Sequence, residues 1–461
     1  MTSAVFFTKM KHMTTQKKIN ACLKACTALL LAVSFALTFT VSDYYIFNRI
    51  DVFGFFAVCQ WIKKAGLLLL PLAVFYDKTT CAQTAKYFLP VFVIASCFTF
   101  GGFFDVTVIT PDSTPAELVY AHINGFIPKA ANISLFFVSN ALYLVICSLL
   151  FVRDGFKIKA KCFVYFPAAV AACIPLNFFE NFFDINDFPE DHFLRFGNFT
   201  VWHLLAVLAL AVFTIAFYFF LRRKERKIQN EYLIAAAIVL LIQYHSKDSV
   251  IMGDGYNVYN TVFACVPLFI CNLGVYVAAL SVIVKKKTLY SIAFYVHAAG
   301  ALSVFVYFGR DEMSDYGIFC SYSILYFCLT HCILFALSTL PAALGHYKFR
   351  LKDIIIPLIY YFCVIIIASV ASALVTSASM SFSYNGYTLS ESEWIIPNYA
   401  FTQINPLPFT VPMVKLTIWK YDLSLLYILG LYAFYVGIFF TFNAFYYAFI
   451  NIRKAILKRK A

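Results

Sequence analysis

The stretch Thr261 to Lys287, TVFACVPLFICNLGVYVAALSVIVKKK, is apolar along nearly its whole length and closes on three consecutive lysines. As a helix it is long enough to cross the ~30 Å hydrocarbon core of a bilayer, which takes about 20 residues. Pro267, Cys271 and Asn272 lie near its middle. Polar atoms at that depth need hydrogen-bond partners, because lipid supplies none.

The rest of the chain has the same character. Of 461 residues, 62% are hydrophobic and 13% charged, against about 45–50% and about 25% in soluble domains. A soluble globule cannot hide that much apolar side chain, so lipid is the solvent. Phe (53) and Tyr (31) are abundant, as expected where rings meet acyl chains or headgroups. The net charge of +13 does not indicate nucleic acid. Its cations form short clusters between apolar runs, and no basic surface is interleaved with aromatics. The fourteen cysteines are scattered and form no CxxC pair, which argues against a disulfide framework or a zinc site. The first apolar run, after Lys17 and Lys18, has no small-x-small cleavage site and reads as a retained span.

Apolar runs predict an all-α, polytopic membrane protein with about twelve transmembrane helices. They lie near 22–41, 53–77, 86–104, 133–152, 161–179, 200–221, 231–245, 261–284, 288–308, 316–340, 354–378 and 425–450. Charge tests this assignment, since cytoplasmic loops carry the excess of Lys and Arg. With the N-terminus inside, alternate connections hold Arg153 to Lys161, Arg222 to Lys227, Lys285 to Lys287 and Lys348 to Lys352. The opposite connections hold only Arg49, Lys129, Arg195, Lys247, Arg310, Lys415 and Lys420. Both termini are thereby predicted to be cytoplasmic. The longer loops fall outside: 105–132, the acidic 180–199, and 379–424, which reads as turns with a short strand or re-entrant piece.

Twelve spans divide into six and six, 1–227 and 228–461. Asn140 precedes the basic run opened by Lys157 by 17 residues, and His331 precedes the one opened by Lys348 by the same 17. Two parallel six-helix halves would produce that match. The topology rule alone would also make such loops alike.

Polar residues at bilayer depth mark candidate sites, because inserting an ionised one costs on the order of 3 kcal/mol. Lys64, Asn140, Asn272 and His331 lie 10–14 residues from the inner ends of spans two, four, eight and ten. At 1.5 Å per residue they fall within about 6 Å of one another in depth, the level of a shared midplane cavity. The alternatives are structural. Asn140 and Asn272 can bond neighbouring helices for about 0.6 kcal/mol, His331 can be a satisfied core histidine, and Lys63 and Lys64 can snorkel. His297 lies mid-span, whereas His203 and His245 fall nearer the outer face. There is no GxSxG, HExxH or Walker-type loop. Asp43 and Asp51 alone are a weak sign of a glycosyltransferase. No motif calls for a cofactor or metal.

The second half resembles a known family. VPLFICNLGVYVAALSVIVKKK, Gly300-Ala301-Leu302, Leu329-Thr330-His331 and Asn398-Tyr399-Ala400-Phe401 together are similar to the YwaF family of bacterial integral membrane proteins, over about residues 230–455. Phe269 stands where the family pattern has a histidine. Eukaryotic relatives include a membrane phospholipid acyltransferase in which a helix-borne cysteine works with a histidine. Its cysteine position falls on Leu268 here. The resemblance implies a bacterial plasma-membrane protein with lipids as partners, and Cys271 and His331 are the nearest candidates here for such a nucleophile and base. Pro267, Asn272, Gly300 and Asn398 match the broader pattern. Two functions are expected to compete, a lipid-processing enzyme and a transporter or flippase built from two halves, with a non-catalytic scaffold as a third.

Overall fold

The computed structural model describes residues 3–38, 54–75, 80–98, 129–155, 164–173, 193–253, 267–306, 322–381, 383–384, 387–391, 394, 396–403 and 414–458. The twelve predicted stretches each overlap described helix, but several only in part, such as Phe166–Cys173 within 161–179, and twelve spans are not established. Six segments are long and apolar enough to span: Ile133–Asp154, Val201–Leu221, Lys287–Phe305, Ile324–Ala343, Leu351–Met380 and Leu425–Ile452. The protein is thus an all-α membrane protein with at least these six candidate spans. Asp43, Asp51 and the acidic stretch from Glu180 to Asp191 lie outside the described residues, as do 261–266.

Contacts divide the chain into two compact units, 1–179 with 241–261, and 180–240 with 262–461. The first contains α1 (Ser3–Thr38), α2 (Gly54–Phe75), α3 (Thr80–Phe98), α4 (Lys129–Asp154) and α5 (Phe166–Cys173). Helix α2 packs on α3, and α4 packs on both α1 and α3. Trp61, Leu70, Phe92, Tyr143 and Ile146 fill the interior. A Cβ at Gly66 would lie 2.6 Å from the Phe92 ring, so the α2–α3 approach requires glycine there. Two cations in this unit are tied to backbone. Lys86 Nζ donates to the Gly155 carbonyl at 2.6 Å, and Arg153 donates to the Ala73 carbonyl while pairing with Asp154.

The second unit contains α6 (Val201–Leu221), most of α7 (Arg226–Gly253), α8 (Ile270–Val284), α9 (Lys287–Ile292), a π-helical turn (Ala293–His297), α10 (Ala298–Val306), α11 (Tyr322–Ala343), α12 (Ile355–Met380) and α13 (Leu425–Lys458). Loop 379–424 holds two antiparallel hairpins, β1 (Ser383–Tyr384) with β2 (Tyr387–Thr388) and β3 (Lys415–Ile418) with β4 (Tyr421–Ser424). The sequence suggested strand or re-entrant structure there. The described residues of this loop hold these short strands and a 3-10 turn, Tyr399–Phe401.

Helix α8 has a largely buried face in this unit. It packs on α9, the π turn, α10 and α11, burying Ile270, Gly274, Val275, Ala278, Ala279 and Val282. It is shorter than its apolar run. Pro267 to Phe269 are not helical, and Phe269, extended at φ −73° and ψ 143°, is the N-cap. At 1.5 Å per residue the 15-residue helix is about 22 Å long, short of the ~30 Å hydrocarbon core. Its other end is sharp. Lys285 adopts φ 60° and its N–H closes on the Ser281 carbonyl, after which α9 begins at Lys287. The three lysines therefore form the turn itself.

At that end three connections meet. Arg226 donates to the His346 carbonyl at 3.0 Å, His346 Nε2 bonds the Gln229 side-chain oxygen at 2.7 Å, and the Gln229 amide donates to the carbonyls of Leu221 and Lys224. The Tyr347 hydroxyl donates to the Lys285 carbonyl. Burial, then the nearby charges of Arg226 and Lys285, lower the His346 pKa to about 4. The unfolded chain, with an ordinary histidine near 6.5, binds a proton that the folded chain refuses, so stability falls as pH drops from 6.5 towards 4. Thermal unfolding of the full chain in detergent is expected to show this fall across that window, and His346→Gln is expected to remove its contribution. Equal pH dependence in the two proteins would contradict the assignment.

Candidate functional site

The start of α8 gathers most of the second half's distinctive residues. Phe269, extended at φ −73° and ψ 143°, presents its ring edge-on to Tyr399 and Phe401, at centroid distances of 5.7 and 6.4 Å. The Asn398-Tyr399-Ala400-Phe401 turn is thereby brought to the VPLFICN stretch. Asn398, Ala400 and Phe401 all have left-handed backbones, with φ of 44°, 50° and 59°. Left-handed geometry costs a non-glycine residue about 1–2 kcal/mol, and such strain persists only where the surroundings over-determine it.

Those surroundings are polar and specific. The Tyr399 N–H donates to Ser372 Oγ at 3.0 Å. The Asn398 side-chain oxygen accepts from the Gln403 N–H, the Asn398 N–H donates back to Gln403 Oε1, and Gln403 Nε2 reaches Thr376 Oγ1 at 3.0 Å. Tyr427 donates to the Phe401 carbonyl at 2.8 Å. Ser372 and Thr376 lie four residues apart on one face of α12, so one helix face fixes the turn. Asn398 acts on the turn's own backbone.

His297 closes the other side. Its Nδ1 lies 2.8 Å from the Ile270 carbonyl and its Nε2 3.1 Å from the Tyr360 hydroxyl. A carbonyl only accepts, so Nδ1 carries the proton and Nε2 accepts from Tyr360. The π-helical turn holding His297 inserts an extra residue into the helix ladder, a feature frequent at functional sites. The fit is tight, since a Cβ at Gly274 would lie 2.8 Å from Nδ1 and one at Gly300 3.0 Å from Ile270 Cγ2. These two glycines allow α8 to approach the π turn and α10.

Cys271 follows Ile270 in the first turn of α8, where the helix dipole favours negative charge. It is half-buried and its thiol donates to Asn272 Oδ1 at 3.6 Å. His331 lies on α11, which packs on α8. Its Nδ1 donates to the Phe327 carbonyl at 2.8 Å, leaving Nε2 as the basic nitrogen. Its ring lies 4.2 Å, centroid to centroid, from Phe327. His203, which sequence position placed near the outer face, is buried. It accepts from the Phe199 N–H and donates through Nε2 to the Phe305 carbonyl at 2.8 Å.

The remaining candidates belong to the first unit. Lys64 is half-buried on α2. Asn140 is buried on α4 and its amide donates to the Phe136 carbonyl of the same helix at 3.2 Å. Sequence reasoning missed Tyr360, since nothing distinguishes it among the many tyrosines. It also missed Ser372 and Thr376, whose four-residue spacing is the one signal that would have found them.

The His297 arrangement has a measurable signature. Tyr360→Phe and His297→Ala are each expected to destabilise the folded chain in detergent, the second by about 1–3 kcal/mol for the buried acceptor it leaves. The double variant is expected to lose less than the sum, with a coupling of about 0.5–3 kcal/mol. Additive losses would break the link between the two residues.

No curated protein and no solved structure matches the chain. A family model described as the TMEM164 family matches residues 195–446, which include α8, His297, His331, Tyr360 and the Asn398 turn. Extending over more than half of its length, the match establishes that the chain belongs to the TMEM164 family, a multi-pass membrane family.

Proposed function

We propose that the protein processes membrane lipids by acyl transfer or hydrolysis, with Cys271 as nucleophile and His331 as base. The observation that carries this reading is the thiol's position, in the first turn of a helix too short for the hydrocarbon core. A helix end at membrane depth is tolerated where its backbone is buried in protein or lines a cavity, and an acyl ester can enter such a place laterally. Cys271 and His331 both lie in the stretches that resemble the YwaF pattern, although the acyltransferase relative's cysteine falls on Leu268.

In this reading His331 Nε2 takes the thiol proton as sulfur attacks the ester carbonyl. The carbon–sulfur bond forms, the carbon–oxygen bond breaks, and the proton passes to the departing lysolipid oxygen. Water or an alcohol-bearing lipid then attacks the thioester and returns the thiol. Asn272 and the Asn398 turn position the start of α8. The orientation proposed is outward-to-inward for α8 in a plasma membrane, with both termini cytoplasmic.

Full-length protein in vesicles containing a phospholipid with an alkyne-tagged acyl chain is expected to acquire a hydroxylamine-labile tag and to release tagged product. Cys271→Ala is expected to abolish the tag, and His331→Gln to slow turnover by about 10²–10⁴-fold, the usual contribution of a general base. Undiminished turnover in Cys271→Ala would overturn the assignment. Lipid moved between leaflets without chemical change would replace it with transport. For orientation, an impermeant maleimide is expected to label a cysteine replacing Lys420 and not one replacing Lys286 in intact cells. The reverse pattern would invert the topology.

A further inference from the structure

We infer that the end of the second unit formed by the α6–α7, α8–α9 and α11–α12 connections is a docking surface for the headgroup phosphates of anionic phospholipids. The inference is independent of the proposed chemistry at Cys271. It begins with convergence. The bonds from Arg226 to His346, from His346 to Gln229 and from Tyr347 to Lys285 gather three connections remote in sequence. The rings of Tyr290 and Tyr347, 4.0 Å apart, pack beneath them. Lys287 pairs with Asp353 at 2.5 Å, and Asp353 also accepts from the Arg350 N–H.

Charge at this end is strongly unbalanced. Arg223, Lys227, Lys286, Lys348, Arg350 and Lys352 all have exposed side chains. Among the described residues of the three connections, the carboxylates are Glu225 and Asp353, and Asp353 is already engaged by Lys287. The positive potential is felt inside the unit, where Arg226 and Lys285 help keep His346 neutral. Holding like charges together costs free energy that an anionic partner relieves.

The surroundings identify that partner. Directly beside the cations lies exposed apolar surface: Phe219, Phe220, Leu351, Ile355 and Ile356. Arg222 lies over the Phe219 ring at 4.2 Å and Lys224 over the Phe220 ring at 4.3 Å, so these cationic groups sit against the apolar band. A phospholipid offers the complement of both, with its phosphate at the cations and its acyl chains along the band. Nucleic acid, an acidic peptide or free phosphate would satisfy only the charge.

The general excess of lysine and arginine on one side acts while the chain inserts. A docking surface acts in the folded protein, and the test uses that difference. The full chain is reconstituted in nanodiscs of phosphatidylcholine and phosphatidylglycerol in equal amounts, then transferred to detergent, and its retained lipids are counted by native mass spectrometry. The wild-type protein is expected to retain phosphatidylglycerol preferentially. The combined variant Arg223→Gln, Lys286→Gln, Lys348→Gln and Lys352→Gln, whose four side chains lie outside the bonds named above, is expected to lose at least about tenfold of that preference, given about fivefold per cation near an anionic surface. Lys415→Gln with Lys420→Gln, on the β3–β4 hairpin, is expected to leave it unchanged.

Should the combined variant fail to fold, added sodium chloride decides on the wild type, whose preference must fall as salt screens the contact. Equal retention of the two lipids by the wild type would overturn the proposal. So would an intact preference in the folded variant, a preference insensitive to salt, or one abolished by inorganic phosphate at concentrations where sodium chloride of equal ionic strength has no effect.

Discussion

The hydrogen bond from His297 Nδ1 to the Ile270 carbonyl, at 2.8 Å, is the constraint on which the second unit turns. It ties the beginning of α8 to the π turn at the point where a neighbouring helix must come close. The bond requires three things at once. Gly274 must leave room for the imidazole, the π turn must carry the ring to α8, and Tyr360 must occupy the second nitrogen. Each is a local departure from ideal helix chemistry that makes sense only in the presence of the others. A buried imidazole with both nitrogens satisfied is tolerated at this depth, whereas one left unsatisfied would be costly.

The same economy governs the strained turn from Asn398 to Phe401. Three non-glycine residues in left-handed geometry would relax in isolation. Here the polar face of α12 holds one peptide N–H, the Asn398–Gln403 pair closes a reciprocal ring, and Tyr427 takes the Phe401 carbonyl. Serine and threonine in α12 thus do two jobs. Ser369 and Thr376 return a hydrogen bond to their own helix backbone, and Ser372 and Thr376 accept from the turn. The strained turn meets the start of α8 through the Phe269, Tyr399 and Phe401 rings.

The two ends of the second unit have opposite chemistry. At the start of α8 the polar groups are few and engaged by specific partners, His297 by Ile270 and Tyr360 and Asn398 by Gln403. At the other end cations are many and exposed, and the fold spends its hydrogen bonds on backbone carbonyls to bring the connections together. Lys285 illustrates the difference. Its left-handed backbone ends α8 and its carbonyl anchors Tyr347, while its side chain stays exposed.

The sequence alone determined the solvent, the helical class, the positions of the apolar segments and the clustering of cations between them, because those depend on composition and on runs of local residues. It also singled out VPLFICN, Gly300, His331 and Asn398 through a resemblance to the YwaF family over 230–455, whereas the family that the chain is shown to belong to is TMEM164, matched over 195–446. It could not place the true start of α8. The apolar run continues through Pro267 to Phe269, which hydropathy does not tell apart from helix. Nor could it separate His297, clamped between a carbonyl and a tyrosine, from His331, bonded to its own helix, or recognise the buried role of His203. Those differences lie in which atom stands about 3 Å from which: across 27 to 102 residues of chain for His297 and His203, and within one helix for His331. Only tertiary packing decides that, because a histidine's partners are set by how closely neighbouring helices approach, and the approach is set by glycines and a π turn whose effect appears only once the helices meet.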